Sequence, residues 1–98
     1  MRLRDWEIEA IKRSAAESFG DGVVVRLFGS RVDDSRKGGD IDLLISLPQV
    51  ADDPEASARF RRLLDRRIGE REIDVVCLAP DTVRGRVHRE ALEKGVVL

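Results

Sequence analysis

The stretch that decides the fold is Asp40-Ile41-Asp42-Leu43-Leu44-Ile45-Ser46-Leu47, which follows Val23-Val24-Val25-Arg26-Leu27-Phe28-Gly29-Ser30-Arg31 after a short polar segment. In residues 40–47 the apolar side chains Ile41, Leu43, Ile45 and Leu47 recur with a period of two, the repeat of a strand with one buried face. Asp40 and Asp42 therefore share the other face, at the strand's start, and Pro48 ends the run. Residues 23–28 are short, β-branched and bounded by glycines, which suits a second buried strand that delivers the chain to Gly29-Ser30.

Outward from this pair, residues 5–19 place Trp6, Ile8, Ala10, Ile11, Ala15 and Phe19 near the spacing of one helical face, and Gly20-Asp21-Gly22 closes the helix. Asp53-Pro54 reads as an N-cap with proline at the first helical position, opening a helix whose buried stripe is Phe60, Leu63, Leu64 and Ile68 and which ends at Gly69. Residues 73–78, Ile73-Asp74-Val75-Val76-Cys77-Leu78, form a third strand. Pro80 is expected to open a last helix, with Val83, Val87, Ala91 and Leu92 inward and Gly95 at its end. Val96-Val97-Leu98 is an apolar tail suited to an extended edge. The expected fold class is α/β, a small mixed three-stranded sheet flanked by helices in the order α-β-α-β-α-β-α, where the second α stands for a short helix or loop over residues 32–39. Residues 1–98 read as one domain.

Composition narrows the function. Eighteen basic residues against nineteen acidic ones leave a formal net charge of −1, so no global field recruits a polyanion. One cysteine excludes an internal disulfide, and no apolar run approaches the ~20 residues of a membrane span. Residues 1–6 lack the apolar core of a signal peptide, so the expected location is the cytoplasm. The arginines at 59, 61, 62, 66, 67 and 71 make the second long helix basic; a solvated face paired with Asp65, Glu70 and Glu72 is favoured over a grip on RNA or an acidic partner. With no Tyr and only Trp6 and three Phe, stacking platforms for single strands are missing, and direct nucleic-acid binding is not expected.

Two carboxylates separated by one residue on one strand face, with Asp74 on the third strand, suit one or two Mg²⁺ ions carrying a triphosphate. They suit zinc poorly, because one His and one Cys cannot build a usual zinc site. Gly29-Ser30 directly follows a strand, where a missing side chain lets backbone N–H groups approach a phosphate. The glycine patterns of Walker and dinucleotide-binding loops are both absent.

Leu27-Phe28-Gly29-Ser30-Arg31, then Asp40-Ile41-Asp42, then Glu72-Ile73-Asp74-Val75-Val76, resembles the signature of the polymerase-β-type nucleotidyltransferase superfamily. The wording is most similar to the stand-alone minimal nucleotidyltransferase (MNT) proteins, over roughly residues 8–98. The resemblance implies that Gly29, Ser30 and Arg31 bind the nucleotide, that Asp40, Asp42 and Asp74 are catalytic and hold two Mg²⁺ ions, and that ATP is the substrate. It further implies an antitoxin role beside a HEPN-domain ribonuclease toxin, with AMP transferred to a protein hydroxyl and a hetero-oligomer formed with the toxin. The alternative is a non-catalytic antitoxin that neutralises its toxin by binding alone.

Overall fold

The computed structural model describes residues 3–29, 41–49, 53–69 and 72–98. Its elements are α1 (Asp5–Phe19), β1 (Val24–Phe28), β2 (Ile41–Ser46), α2 (Ala56–Ile68), β3 (Ile73–Leu78), α3 (Arg86–Lys94) and β4 (Val96–Val97). The strands form one mixed sheet in the order β3-β2-β1-β4. β1 runs antiparallel to β2 and to β4, while β2 and β3 are parallel and joined by the crossover through α2. Three strands were expected and four are present: the apolar tail pairs with β1, Val96 opposite Leu27 and Val97 opposite Arg26. The short helix or loop expected over residues 32–39 lies outside the described residues.

Strand alternation sorts the sheet into two faces. Val25, Leu27, Ile41, Leu43, Ile45 and Ile73 pack with Ile11, Ala15, Phe60, Leu64 and Ile68 of α1 and α2. On the other face Phe28, Leu44 and Leu78 pack with Ala91 of α3. Burying a side chain of this size stabilises by about 1.5–3 kcal/mol, so the closed face carries most of the core.

α1 and α2 are also pinned to each other by polar contacts. Arg59 Nη2 donates to the Ser18 carbonyl at 3.0 Å, and Arg67 donates to Ser14 Oγ at 3.1 Å and to Glu17 Oε2 at 2.7 Å. The rings of Phe19 and Phe60 meet at 5.5 Å. Arg59 also pairs with Asp53 at 3.1 Å. Among the described residues the acids paired with the arginine-rich helix are Asp53 and Glu17, because the long side chains reach across to α1 and back to the preceding turn; of the expected partners, Glu70 lies outside the described residues, as does Arg71.

Three helix readings need correction. In α1 the buried face is Glu7, Ile11, Ser14, Ala15 and Ser18, and Trp6 is 52% exposed. Two of the inward polar groups are bonded: Ser14 Oγ donates to the Ala10 carbonyl at 2.7 Å, and Glu7 Oε1 accepts from the Arg4 amide at 3.0 Å. The last helix begins at Arg86 rather than at Pro80, leaving Val83 90% exposed and Val87 40% exposed, while Ala91 is buried and Leu92 half-buried as expected. Ala79-Pro80-Asp81-Thr82 is a turn, closed by Thr82 N–H to the Ala79 carbonyl at 3.1 Å and by Ala79 N–H to Thr82 Oγ1 at 2.9 Å. Proline at the second position of a turn competes with proline at a helix start, and here the threonine bond decides for the turn. Asp53-Pro54 likewise forms a turn, with Asp53 Oδ1 accepting the Glu55 amide at 2.9 Å, so α2 starts at Ala56.

Candidate nucleotidyl-transfer site

The face under α3 is a lattice of cross-strand neighbours. Its top row runs Phe28, Asp42, Asp74; the next runs Arg26, Leu44, Val76; and Val24, Ser46, Leu78 form the lowest. Asp42 and Asp74 are register partners on parallel strands, about 4.8 Å apart at the backbone by ordinary strand spacing, with both side chains on one face. Burial falls along the top row: Phe28 is buried beneath α3, Asp42 is half-buried and Asp74 is exposed. The two carboxylates stand side by side at the open end of the sheet.

Gly29 joins them through its backbone. It follows Phe28, the partner of Asp42, and has φ +77°, a left-handed conformation that costs a residue with a Cβ about 1–2 kcal/mol. A Cβ on Gly29 would also collide with Asp42 Oδ2. Absence of a side chain is therefore what allows the turn after β1 to lie directly against the Asp42 carboxylate. This contact between a strand-end glycine and an aspartate thirteen positions later has no signal in sequence periodicity; only the interval between the two motifs pointed to it.

Asp40, Ser30 and Arg31 lie outside the described residues, so of the six expected site residues the structure brings together Gly29, Asp42 and Asp74. Among the described residues no group of three or more His, Cys, Asp or Glu side chains forms a metal-binding cluster. The donor set still fits a hard cation: two adjacent carboxylates offer oxygen ligands only, and Mg²⁺ takes one or two such groups and fills its other positions with water and phosphate oxygen.

Arg26, whose direction the sequence left open, lies one row below Asp42 and donates to Ser46 Oγ at 3.3 Å, away from the aspartates. Cys77 is half-buried against the α1/α2 core, as expected of a small strand residue. His88, expected on the surface, is half-buried and has a structural task. Its Nδ1 accepts the Gly85 amide at 3.0 Å, and its Nε2 is 3.3 Å from the Cys77 carbonyl, so it caps α3 and ties the helix to β3. The tautomer with hydrogen on Nε2 satisfies both contacts.

α3 ends where Gly95 turns the chain into β4. A Cβ there would collide with the Ala91 carbonyl and come within 3.3 Å of the Leu27 carbonyl, so glycine permits the close return that adds the fourth strand beside β1. A cleft of about 410 Å³ lies at the other end of the sheet, next to the turn that precedes β1. The convergence of Gly29, Asp42 and Asp74 is chemically specific, whereas that cleft contains none of the three, so the aspartate end is the candidate site. No described helix is long and apolar enough to cross a membrane.

None of the curated proteins matches the chain. A family model described as the nucleotidyltransferase domain matches residues 8–98, nearly all of the chain, and covers Gly29, Asp42 and Asp74 with all four strands. On that match, with a mixed sheet carrying paired aspartates beside a strand-end glycine, the chain belongs to the nucleotidyltransferase domain family.

Proposed function

We propose that this protein transfers AMP from ATP to a hydroxyl of a partner protein, as the antitoxin that modifies a HEPN-domain ribonuclease toxin with which it forms a complex. The observation that carries the reading is Asp42 and Asp74 side by side at the open end of the sheet, with Gly29 against Asp42. In this reading the backbone of Gly29 and Ser30, with Arg31, holds the triphosphate, and Asp40, Asp42 and Asp74 hold two Mg²⁺ ions. When bound, the ions neutralise charge on the entering and departing oxygens. The acceptor oxygen bonds to the α-phosphorus, the bond to the bridging oxygen of pyrophosphate breaks, and pyrophosphate departs. Asp74, the more exposed carboxylate, takes the acceptor's proton on its way to solvent.

A protein acceptor is favoured by the openness of the site. Asp74 and Gly29 are exposed, so an acceptor that brings its own surface can approach them. A nucleic-acid acceptor is disfavoured because Arg59 and Arg67 of the basic helix are engaged with α1 and Asp53.

The test is intact-mass spectrometry of the proposed HEPN-domain partner after incubation with this protein, ATP and Mg²⁺. The expected result is a gain of one or more AMP units that disappears with the Asp40→Ala, Asp42→Ala double variant. A stable complex with no mass gain would move the function to the non-catalytic antitoxin.

A further inference from the structure

We propose that the outer edge of β4 pairs with the same edge of a second copy of this chain, joining the two sheets across a two-fold axis. Among the described residues no strand lies beyond β4 in the order β3-β2-β1-β4. The Leu98 amide donates to the Val25 carbonyl at 2.9 Å, so Leu98 and, by alternation, Val96 turn their backbone groups toward β1. The N–H and C=O of Val97 therefore point away from the sheet. Native edge strands are blunted by lysine or proline, and Val96-Val97-Leu98 carries neither.

Side chains select a second copy as the occupant. Among the described residues, three of the six exposed large apolar side chains lie at this edge: Val24 at 37%, Val96 at 38% and Val97 at 56%. An antiparallel pair centred on Val97 exchanges one reciprocal set of N–H···O bonds, sets Val97 against Val97 on the α3 face, and sets Val96 against Leu98 on the face beneath α1. That register covers both valines of the strand. Beside the edge, a groove of about 280 Å³ is lined by Lys12 and Ala16 of α1 together with Asp21, Val24, Val97 and Leu98. Lys12 and Asp21 are exposed and form no ion pair among the described residues. They carry opposite charges on either side of Ala16 along the chain. An axis normal to the sheet keeps both α1 helices on one face and runs them antiparallel, so a crossing near Ala16 sets Lys12 of each copy opposite Asp21 of the other. A partner of one sign would satisfy only one of these charges, whereas a second copy satisfies both.

Sedimentation equilibrium of the full chain is the test. The average mass should rise from 11.0 kDa toward twice that value with a Kd on the order of 100 μM, as suits one short edge. Exchange of the Val97 amide, followed by NMR, should slow over the same concentration range. Val97→Lys, at an exposed position, should weaken association about tenfold or more while keeping the Tm of the parent. Lys12→Glu should weaken it about threefold or more, and Lys12→Glu combined with Asp21→Lys should restore it. A chain that stays monomeric well above that Kd leaves the edge to a different partner and overturns the proposal. A dimer that Val97→Lys leaves intact, or that the reversed charge pair fails to restore, overturns it as well. None of these readouts involves AMP transfer, so the dimer stands or falls apart from the catalytic reading.

Discussion

On the sheet face beneath α1 and α2, the positions Val25, Leu27, Ile41, Leu43, Ile45 and Ile73 are all apolar and all buried. On the face beneath α3, polar and apolar residues alternate by row: two aspartates beside Phe28, then Arg26 beside Leu44, then Ser46 beside Leu78. The difference follows from coverage. Helices of fifteen and thirteen residues close one face, whereas the nine residues of α3 cross the other and leave the β3 side of its top row to solvent. One face holds the molecule together, and the incompletely covered one can hold ionised carboxylates without the cost of burying unpaired charge.

The contrast is broken most sharply at the open face. Asp40→Ala with Asp42→Ala is expected to lower AMP transfer at least about 100-fold, the scale on which removal of one charge-stabilising group acts, while circular dichroism still shows the parent fold. Wild-type turnover by that folded variant sinks the assignment. The closed face should respond oppositely: Leu43→Ala should cost about 2–5 kcal/mol in urea denaturation, because Leu43 is fully buried. Val76→Ala, half-buried on the other face, should cost clearly less. Equal costs would mean that the two faces share the core evenly.

Gly29→Ala joins both kinds of effect. Its φ of +77° costs about 1–2 kcal/mol with a side chain present, and the new methyl displaces the Asp42 carboxylate, so kcat/KM should fall further than stability does. His88→Ala removes the acceptor for the Gly85 amide and should cost about 1 kcal/mol in thermal or urea melts, with the loss located by hydrogen exchange at the first turn of α3. Protection unchanged in that turn would remove His88 from the cap.

The smallest effect belongs to Asp53. Arg59 and then the Glu55 amide, both hydrogen-bonded to it, hold its carboxyl below the ordinary value of 3.8. A depressed carboxyl adds stability that is present above that value and lost as pH falls through the lowered one. The stability gap between the parent and Asp53→Asn should therefore be steady near neutrality and close in acid. A gap that widens in acid would contradict the Arg59 pairing.

Much of this arrangement was legible in residue order. Period-two alternation over residues 40–47 put Asp42 opposite the buried Ile41, Leu43 and Ile45, and the structure has it there. The boundaries of α1 and β3 follow from glycine punctuation and apolar runs, because backbone conformation at such positions is a local property. Trp6 was misread because apolarity alone does not say which side of a helix faces inward. Ser14 is inward because α2 supplies Arg67 to its hydroxyl on that side. Pro80 was misread because turn and helix-start chemistry share a residue, and the deciding bond comes from Thr82.

By itself the sequence determined the alternating strands, the two long helices and the types of residue available for chemistry, all consequences of short-range periodicity and side-chain identity. Tertiary structure alone decided that Asp42 and Asp74 are neighbours across a parallel pair, that Gly29 lies against Asp42, that the strand the tail joins is β1, and that His88 caps α3. Each of these depends on strand order, register or helix placement, which are set by burying surface between residues far apart in the chain, and local periodicity carries no information about them.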